Sequence, residues 1–144
     1  MHIVNSTNDP NSTGIPGIVR VFTLVLICAG MFFAYVFMFK PGLTFPGATI
    51  SDYSSQLGFY STGVRVLGSV VGLAIALALN SPRLLALMLV TRLVIEVGDV
   101  VVGIVTGGTA SNNILVGVIA ALELLAILKL LQVIRANKLT LRNH

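Results

Sequence analysis

Charge is scarce in this chain of 144 residues: only 10% are Asp, Glu, Lys or Arg, against 56% hydrophobic. Together with a mean hydropathy of +0.97, that scarcity excludes an ordinary soluble domain. Tryptophan is absent and Cys28 is the only cysteine, so no intramolecular disulfide can form. Cys28 lies inside an apolar run and reads as a packing residue. The two histidines, His2 and His144, stand at the ends, so no apolar segment contains an imidazole for a metal site or a proton relay. HExxH, GxSxG and a glycine-rich phosphate loop are missing as well. No metal and no cofactor is expected, which disfavours haem, zinc-hydrolase and nucleotide-driven chemistry. The net charge of +4 is not gathered into basic runs interleaved with aromatics, so a nucleic-acid surface is excluded too.

What is present is long apolar sequence. A hydrocarbon core of about 30 Å takes roughly 20 apolar residues per helix. Four such runs fit, at residues 18–39, 57–79, 84–105 and 114–134. The expected organisation is a polar N-terminal tail (1–17), one four-span transmembrane bundle (18–134) and a basic C-terminal tail (135–144). No Lys or Arg precedes Arg20 and the first run is too long for a signal h-region, so the N-terminus does not read as a cleavable signal. Asn5 and Asn11 each open an NST sequon, but in so Asn/Ser/Thr-rich a segment they read as polar tail. The fold class is therefore all-α, an integral membrane four-helix bundle, with short connections making spans two, three and four antiparallel neighbours.

Loop charge gives an orientation. Arg20, Arg83, Arg135, Lys138 and Arg142 fall at one end of such a bundle and only Lys40 at the other. The positive-inside rule then places both termini in the cytoplasm, in the inner membrane if the source is bacterial. At about 1.5 Å per residue, Arg65 and Asp99 lie at similar depth below the outer surface, Glu96 and Glu123 near the midplane, and Arg92 deeper. Lys129 is near enough to the inner interface to snorkel out.

Those five buried groups are the informative feature. Arg92, Glu96 and Asp99 follow one another at i, i+4 and i+7, on one stripe of span three. Each costs roughly 2.5–3.5 kcal/mol at a helix centre on insertion scales, so the stripe should face protein or water. Intramembrane ionisable residues are functional candidates by default. Depth pairs Arg65 with Asp99, and Arg92 with Glu123 or with Glu96 one turn away. Three carboxylates against two arginines leave one over, and a carboxyl without a partner in a medium of low dielectric tends to keep its proton. A protonated acid beside an ionised one is the arrangement of acid/base chemistry, with Glu96 or Glu123 as the neutral partner. The plainer alternative is ion pairs that glue the bundle.

Small residues open space beside the charges. Ser61, Arg65, Gly68 and Gly72 form one stripe of span two, with Gly68 and Gly72 a GxxxG-type pair for close packing. Thr23, Gly30 and Ala34 form a similar stripe on span one. Tyr35, Tyr53 and Tyr60 fall toward the outer side as interfacial anchors, and Tyr35, Tyr60 and Ser61 are candidates to line a cavity that opens outward. Met31 and Met38 read as core filler.

The segments GFYSTGVRVLGSVVGLAIAL and RLLALMLVTRLVIEVGDVVVG resemble the small four-span membrane proteins of the DoxX-like type. Those share a glycine–arginine motif on span two and an acid followed by a glycine pattern on span three. One branch of similar size contains membrane epoxide hydrolases of polyene pathways. The resemblance implies that Arg65 matches the span-two arginine and Asp99 the span-three acid. Where that branch carries a histidine, Glu123 or Glu96 would stand here.

The leading expectation is thus a membrane-embedded enzyme acting on a small lipophilic substrate, by epoxide opening (hydrolysis or cyclisation) or isomerisation. Asp99, Glu96 and Glu123 would do the acid/base work, and Arg65 and Arg92 would hold them in opposite protonation states. Two other classes remain open: a proton-coupled small transporter working as a homodimer, and a non-catalytic accessory subunit of a membrane oxidoreductase. Membrane lipid is a partner under every reading.

Overall fold

The computed structural model describes residues 14–43, 52–107 and 110–140. Four helices run through them: α1 (Gly17–Phe39), α2 (Tyr53–Ala78), α3 (Pro82–Val105) and α4 (Ala110–Thr140), with a 3₁₀ turn at Pro41–Leu43. No strand occurs among the described residues. The expected all-α bundle is what forms. The sequons at Asn5 and Asn11, and Arg142, lie outside the described residues.

The helix boundaries have local causes. Asp52 caps α2 by accepting the Ser55 amide at 3.2 Å, so the helix starts one turn before the apolar run it carries. Ser81 caps α3 by accepting the Leu84 amide at 3.3 Å, and Pro82 occupies the first helical turn, where its missing N–H costs nothing. Between α2 and α3 the chain reverses through Asn80 at φ 46°, a left-handed conformation that asparagine tolerates better than most residues. The Asn80 side chain also accepts from Arg20 Nη2 at 2.8 Å and from the Ile15 amide at 3.3 Å. The start of α1 is thereby tied to the α2–α3 turn.

α1, α2 and the stretch Asn113–Leu139 of α4 are each long and apolar enough to cross a membrane. α3 is of similar length but carries Arg92, Glu96 and Asp99 in its middle. It runs antiparallel between α2 and α4 through short connections. Apolar side chains cover the outside of the bundle, among them Ile18, Val25, Phe32, Val64, Val94 and Leu125. Such a surface is stable against lipid and not against water.

Packing divides the bundle into two hairpins, α1/α2 and α3/α4, each intimate, with looser contact between α2 and α3 and slight contact between α1 and α4. The α1/α2 seam is built on glycines. A methyl group at Gly30 would stand 2.4 Å from Val70 Cγ2, and one at Gly63 would stand 2.5 Å from Met38 Cγ and 3.3 Å from the Ala34 carbonyl oxygen. Thr23, Gly30 and Ala34 are all buried, as their stripe suggests. The GxxxG pair divides its roles: Gly72 receives Met88, while Gly68 has open space where a side chain would go. Gly63→Ile should cost about 1–3 kcal/mol through overpacking against backbone, and Gly68→Ala should be neutral or stabilising. Thermal unfolding in detergent of the two variants beside wild type checks this, and equal melting temperatures for the two would refute it.

The two hairpins meet fully only at the end that carries the start of α1, the α2–α3 turn and the end of α4. There Ile15, Val19, Leu73, Leu85, Leu89 and Leu130 form the centre of a continuous apolar core. Cys28 is not part of that core, contrary to expectation: it faces outward, as does Met31, while Met38 fills the space beside Gly63. Toward the opposite end the core gives way to a cavity.

Candidate functional site

The cavity lies between the hairpins and measures about 770 Å³. Its walls are mostly apolar: Leu26, Phe33 and Phe37 of α1, Val66 of α2, Ile95 of α3 and Ile119 of α4. Phe33 packs edge-on to Phe32 and tilts against Phe37, which fixes the aromatic part of the wall. Polar groups come mainly from α2 and α3, with Asn113 from α4. Ser55, Thr62, Arg65 and Ser69 reach it from one side and Arg92, Glu96, Asp99 and Thr106 from the other. A mostly apolar concavity of this size with a few converging polar groups has the make-up of a small-molecule site.

The charged residues form two assemblies. In the first, Arg65 Nη2 donates to both oxygens of Asp99, at 3.1 and 3.2 Å. These side chains are 45% and 46% exposed, so the pair lines the cavity without being sealed in protein. The second is deeper and turns on Arg92. Its Nε donates to Glu123 Oε1 at 2.7 Å, its Nη2 to Glu96 Oε1, and its Nη1 to the Ser69 hydroxyl at 2.8 Å. One guanidinium therefore joins α2, α3 and α4. Glu123 is fully buried, at 0% exposure, and Glu96 is 8% exposed. The second carboxyl oxygens of Glu96 and Glu123 have no hydrogen-bond partner among the described residues.

Both pairings expected from depth are present, and the two alternatives for Arg92 occur together. The guanidinium serves two carboxyls and a hydroxyl, so its hydrogen-bonding directions are engaged on all three nitrogens. The plane of the guanidinium also explains the residue type, because a lysine ammonium has no such fork. Charge counting gives one positive centre against two carboxyls.

The candidate side chains divide by location. Arg65, Arg92, Glu96 and Asp99 line the cavity, and Glu123 does not, being fully buried against Arg92. Tyr35, Tyr60 and Ser61 do not. Tyr35 tilts against Phe39 on the outer face of α1 with their ring centroids 5.3 Å apart, and Tyr60 is exposed. Ser61 is exposed and donates to the Gly58 carbonyl at 3.1 Å. The reason is helix rotation: Ser55, Thr62, Arg65 and Ser69 mark the cavity side of α2, about one residue step away from the stripe through Ser61 and Gly68. Arg65 belongs to both stripes. Ser69 and Thr62 were missed. Serine and threonine at i+4 and i−3 from an intramembrane arginine were the available signal.

No group of three or more His, Cys, Asp or Glu side chains suited to a metal occurs among the described residues. Comparison with protein-family models, with curated proteins and with solved structures finds no match for this chain.

Proposed function

We propose that this protein is a membrane-embedded acid/base enzyme acting on a small lipophilic substrate, with epoxide opening the reaction that suits the site best. One observation carries the reading: an accessible carboxylate, Asp99, and a buried carboxyl, Glu96, which shares its arginine with Glu123, line the same mostly apolar cavity. Two carboxyl environments so different are what an acid and a base need in order to coexist.

In hydrolysis the proton of the carboxyl pair passes from Glu96 to the ring oxygen as a carbon–oxygen bond breaks. Water forms the new bond to that carbon and gives its proton to Asp99. Epoxide and water are consumed, a diol leaves, and a proton transfer from Asp99 back to the pair resets the site. Arg65 holds and aims Asp99 with two hydrogen bonds to one carboxylate. Arg92 and Glu123 set the charge on Glu96. An intramolecular hydroxyl in place of water makes the same step a cyclisation. The apolar walls select a lipophilic carbon skeleton and keep bulk water out.

The basic residues support an orientation. Arg20, Arg83, Arg135 and Lys138 gather at the end where the core is filled, so that end faces the cytoplasm and the cavity lies in the outer half of the bundle, with all four helices crossing. The sequence resemblance to DoxX-like proteins and their epoxide-hydrolysing branch agrees with this reading.

Mass spectrometry of lipophilic molecules that co-purify with wild type and with Asp99→Asn tests it. Epoxide, terpenoid or polyene is expected to be retained by the variant and depleted or converted by wild type. Ordinary phospholipid alone in both samples would overturn the enzyme reading in favour of structural ion pairs.

A further inference from the structure

Asn113 is the polar side chain that α4 adds to the cavity wall. It is half-buried, and no hydrogen bond among the described residues uses its amide. The side chain lies against Gly103 of α3. A methyl group at Gly103 would collide with Asn113 Oδ1 and stand 3.2 Å from Cγ, with Nδ2 farther off at 3.5 Å. Gly103 also lines the cavity and follows Asp99 by four residues, so it stands one helical turn farther from the filled core on the same face. The missing side chain at position 103 makes the seat for the amide. An intramembrane asparagine ordinarily bonds to a neighbouring helix, and Asn113 makes no such bond among the described residues. Other polar groups of the wall are already committed. The Thr62 hydroxyl donates to the Gly58 carbonyl at 2.9 Å, the Thr106 hydroxyl to the Val102 carbonyl at 2.8 Å, and Arg65 to Asp99. With Oδ1 pressed toward Gly103, Nδ2–H is the donor left for a ligand, which then supplies an acceptor. That acceptor is neutral, because three carboxyls already stand against two guanidiniums here.

We propose that Asn113 sets substrate specificity: its Nδ2–H donates to a neutral oxygen acceptor on the ligand while the reacting carbon lies at Asp99. Four residues along α3 separate the two levels by about 6 Å. An extended carbon chain covers that span in roughly five bonds. The substrate class is then a lipophilic epoxide with a second, neutral oxygen function (a carbonyl, ether or hydroxyl) at that spacing, and not a plain hydrocarbon epoxide. The rest of the skeleton lies against Phe33, Phe37 and Ile119. This inference rests on the reading of the cavity as the site of epoxide opening. Asn113 touches no reacting atom in it. It holds substrate and transition state alike, so its removal should act on KM and leave kcat in place. A site built to bond one polar group discriminates well against a ligand that lacks it, because the amide is then left without a partner.

The test uses the full chain purified in a non-ionic detergent and two positional isomers of a long-chain keto-cyclopropane. One isomer carries its carbonyl at the stated spacing from the ring, the other at the far end of the chain. The cyclopropane stands in for the epoxide so that nothing reacts, and the isomers partition alike into detergent. Calorimetry is expected to give the first isomer an affinity at least tenfold above the second. Asn113→Leu should reduce that preference to less than twofold. Gly103→Ala should do the same, because its methyl group pushes the amide off its seat. Equal affinity for the two isomers in wild type, or an undiminished preference in Asn113→Leu, would overturn the proposal. The wild-type comparison stands even where a variant fails to fold. With the matching keto-epoxides, Asn113→Leu should raise KM for the first isomer about tenfold at unchanged kcat. A preference among the cyclopropanes without turnover of either epoxide would defeat the enzyme reading and leave the Asn113 subsite standing. Turnover of both epoxides with equal kcat/KM would defeat the subsite and leave the enzyme reading standing. Binding of neither isomer would remove both.

Discussion

Replacing Arg92 with leucine is expected to destabilise the bundle by about 3–5 kcal/mol, the cost of leaving buried charge without its partner. Arg92 is the one group that satisfies Glu123, Glu96 and Ser69 together. Glu123 has no exposure through which water might replace it. Against a total stability of about 5–15 kcal/mol such a loss is large, and unfolding in detergent followed by circular dichroism will read it directly. The decisive companion is the triple variant Arg92→Leu, Glu96→Leu, Glu123→Leu. Well-packed apolar residues in place of a buried ion cluster are often neutral or stabilising. The triple variant is therefore expected to regain wild-type stability or exceed it. That result would mean the triad does not serve stability, which is the plainest rival to a functional role. A triple variant as unstable as the single one would return the charges to the role of glue.

The second large effect concerns rate. Asp99→Asn should lower turnover of a lipophilic epoxide by roughly 10²–10⁴-fold, the usual contribution of a positioned general base. The change preserves size and removes the negative charge, and with it the ability to take a proton. The Arg65–Asp99 pair is nearly half exposed, so its loss should cost stability no more than about 1 kcal/mol. A melting temperature close to wild type with turnover lost would separate chemistry from folding. Diol formation in ¹⁸O-labelled water gives the readout, with one labelled oxygen per product molecule. Undiminished turnover in Asp99→Asn would remove Asp99 from the mechanism.

The contrast between these two residues was visible in the sequence for a simple reason. Short turns fix the depth of each residue on neighbouring helices, and depth alone pairs Arg65 with Asp99 and Arg92 with Glu123. The i, i+4 spacing supplies Glu96 in the same way. Rotation about each helix axis is a different matter. In a soluble helix the apolar stripe marks the inward face, whereas in lipid both faces are apolar and the pattern marks neither. α1 has apolar side chains on every side, and only the small-residue stripe through Thr23, Gly30 and Ala34 marks its inward face and leaves Cys28 and Tyr35 outside it. On α2 a shift of one residue step exchanges Ser61 for Thr62 as a cavity side chain. Helix ends were hidden for a related cause: hydropathy reports the span, while Asp52 and the polar residues after Ile134 continue the helix beyond it. That one half of the bundle is filled and the other hollow depends on side-chain volumes meeting across four helices, which no single segment encodes.

That last asymmetry has a mechanical consequence. A close-packed interior is stiff and an empty one is compliant, because voids can shrink at little cost in atomic overlap. The filled end, where Asn80 ties α1 to the α2–α3 turn, should then be the stiffer root of a tuning fork, and the helix segments around the cavity its more compliant arms. Lateral pressure in the bilayer should then deform the arms more than the root. Thicker or more tightly packed lipid should narrow the cavity while leaving the fold's melting behaviour almost unchanged, so the membrane itself becomes a control on what the site admits.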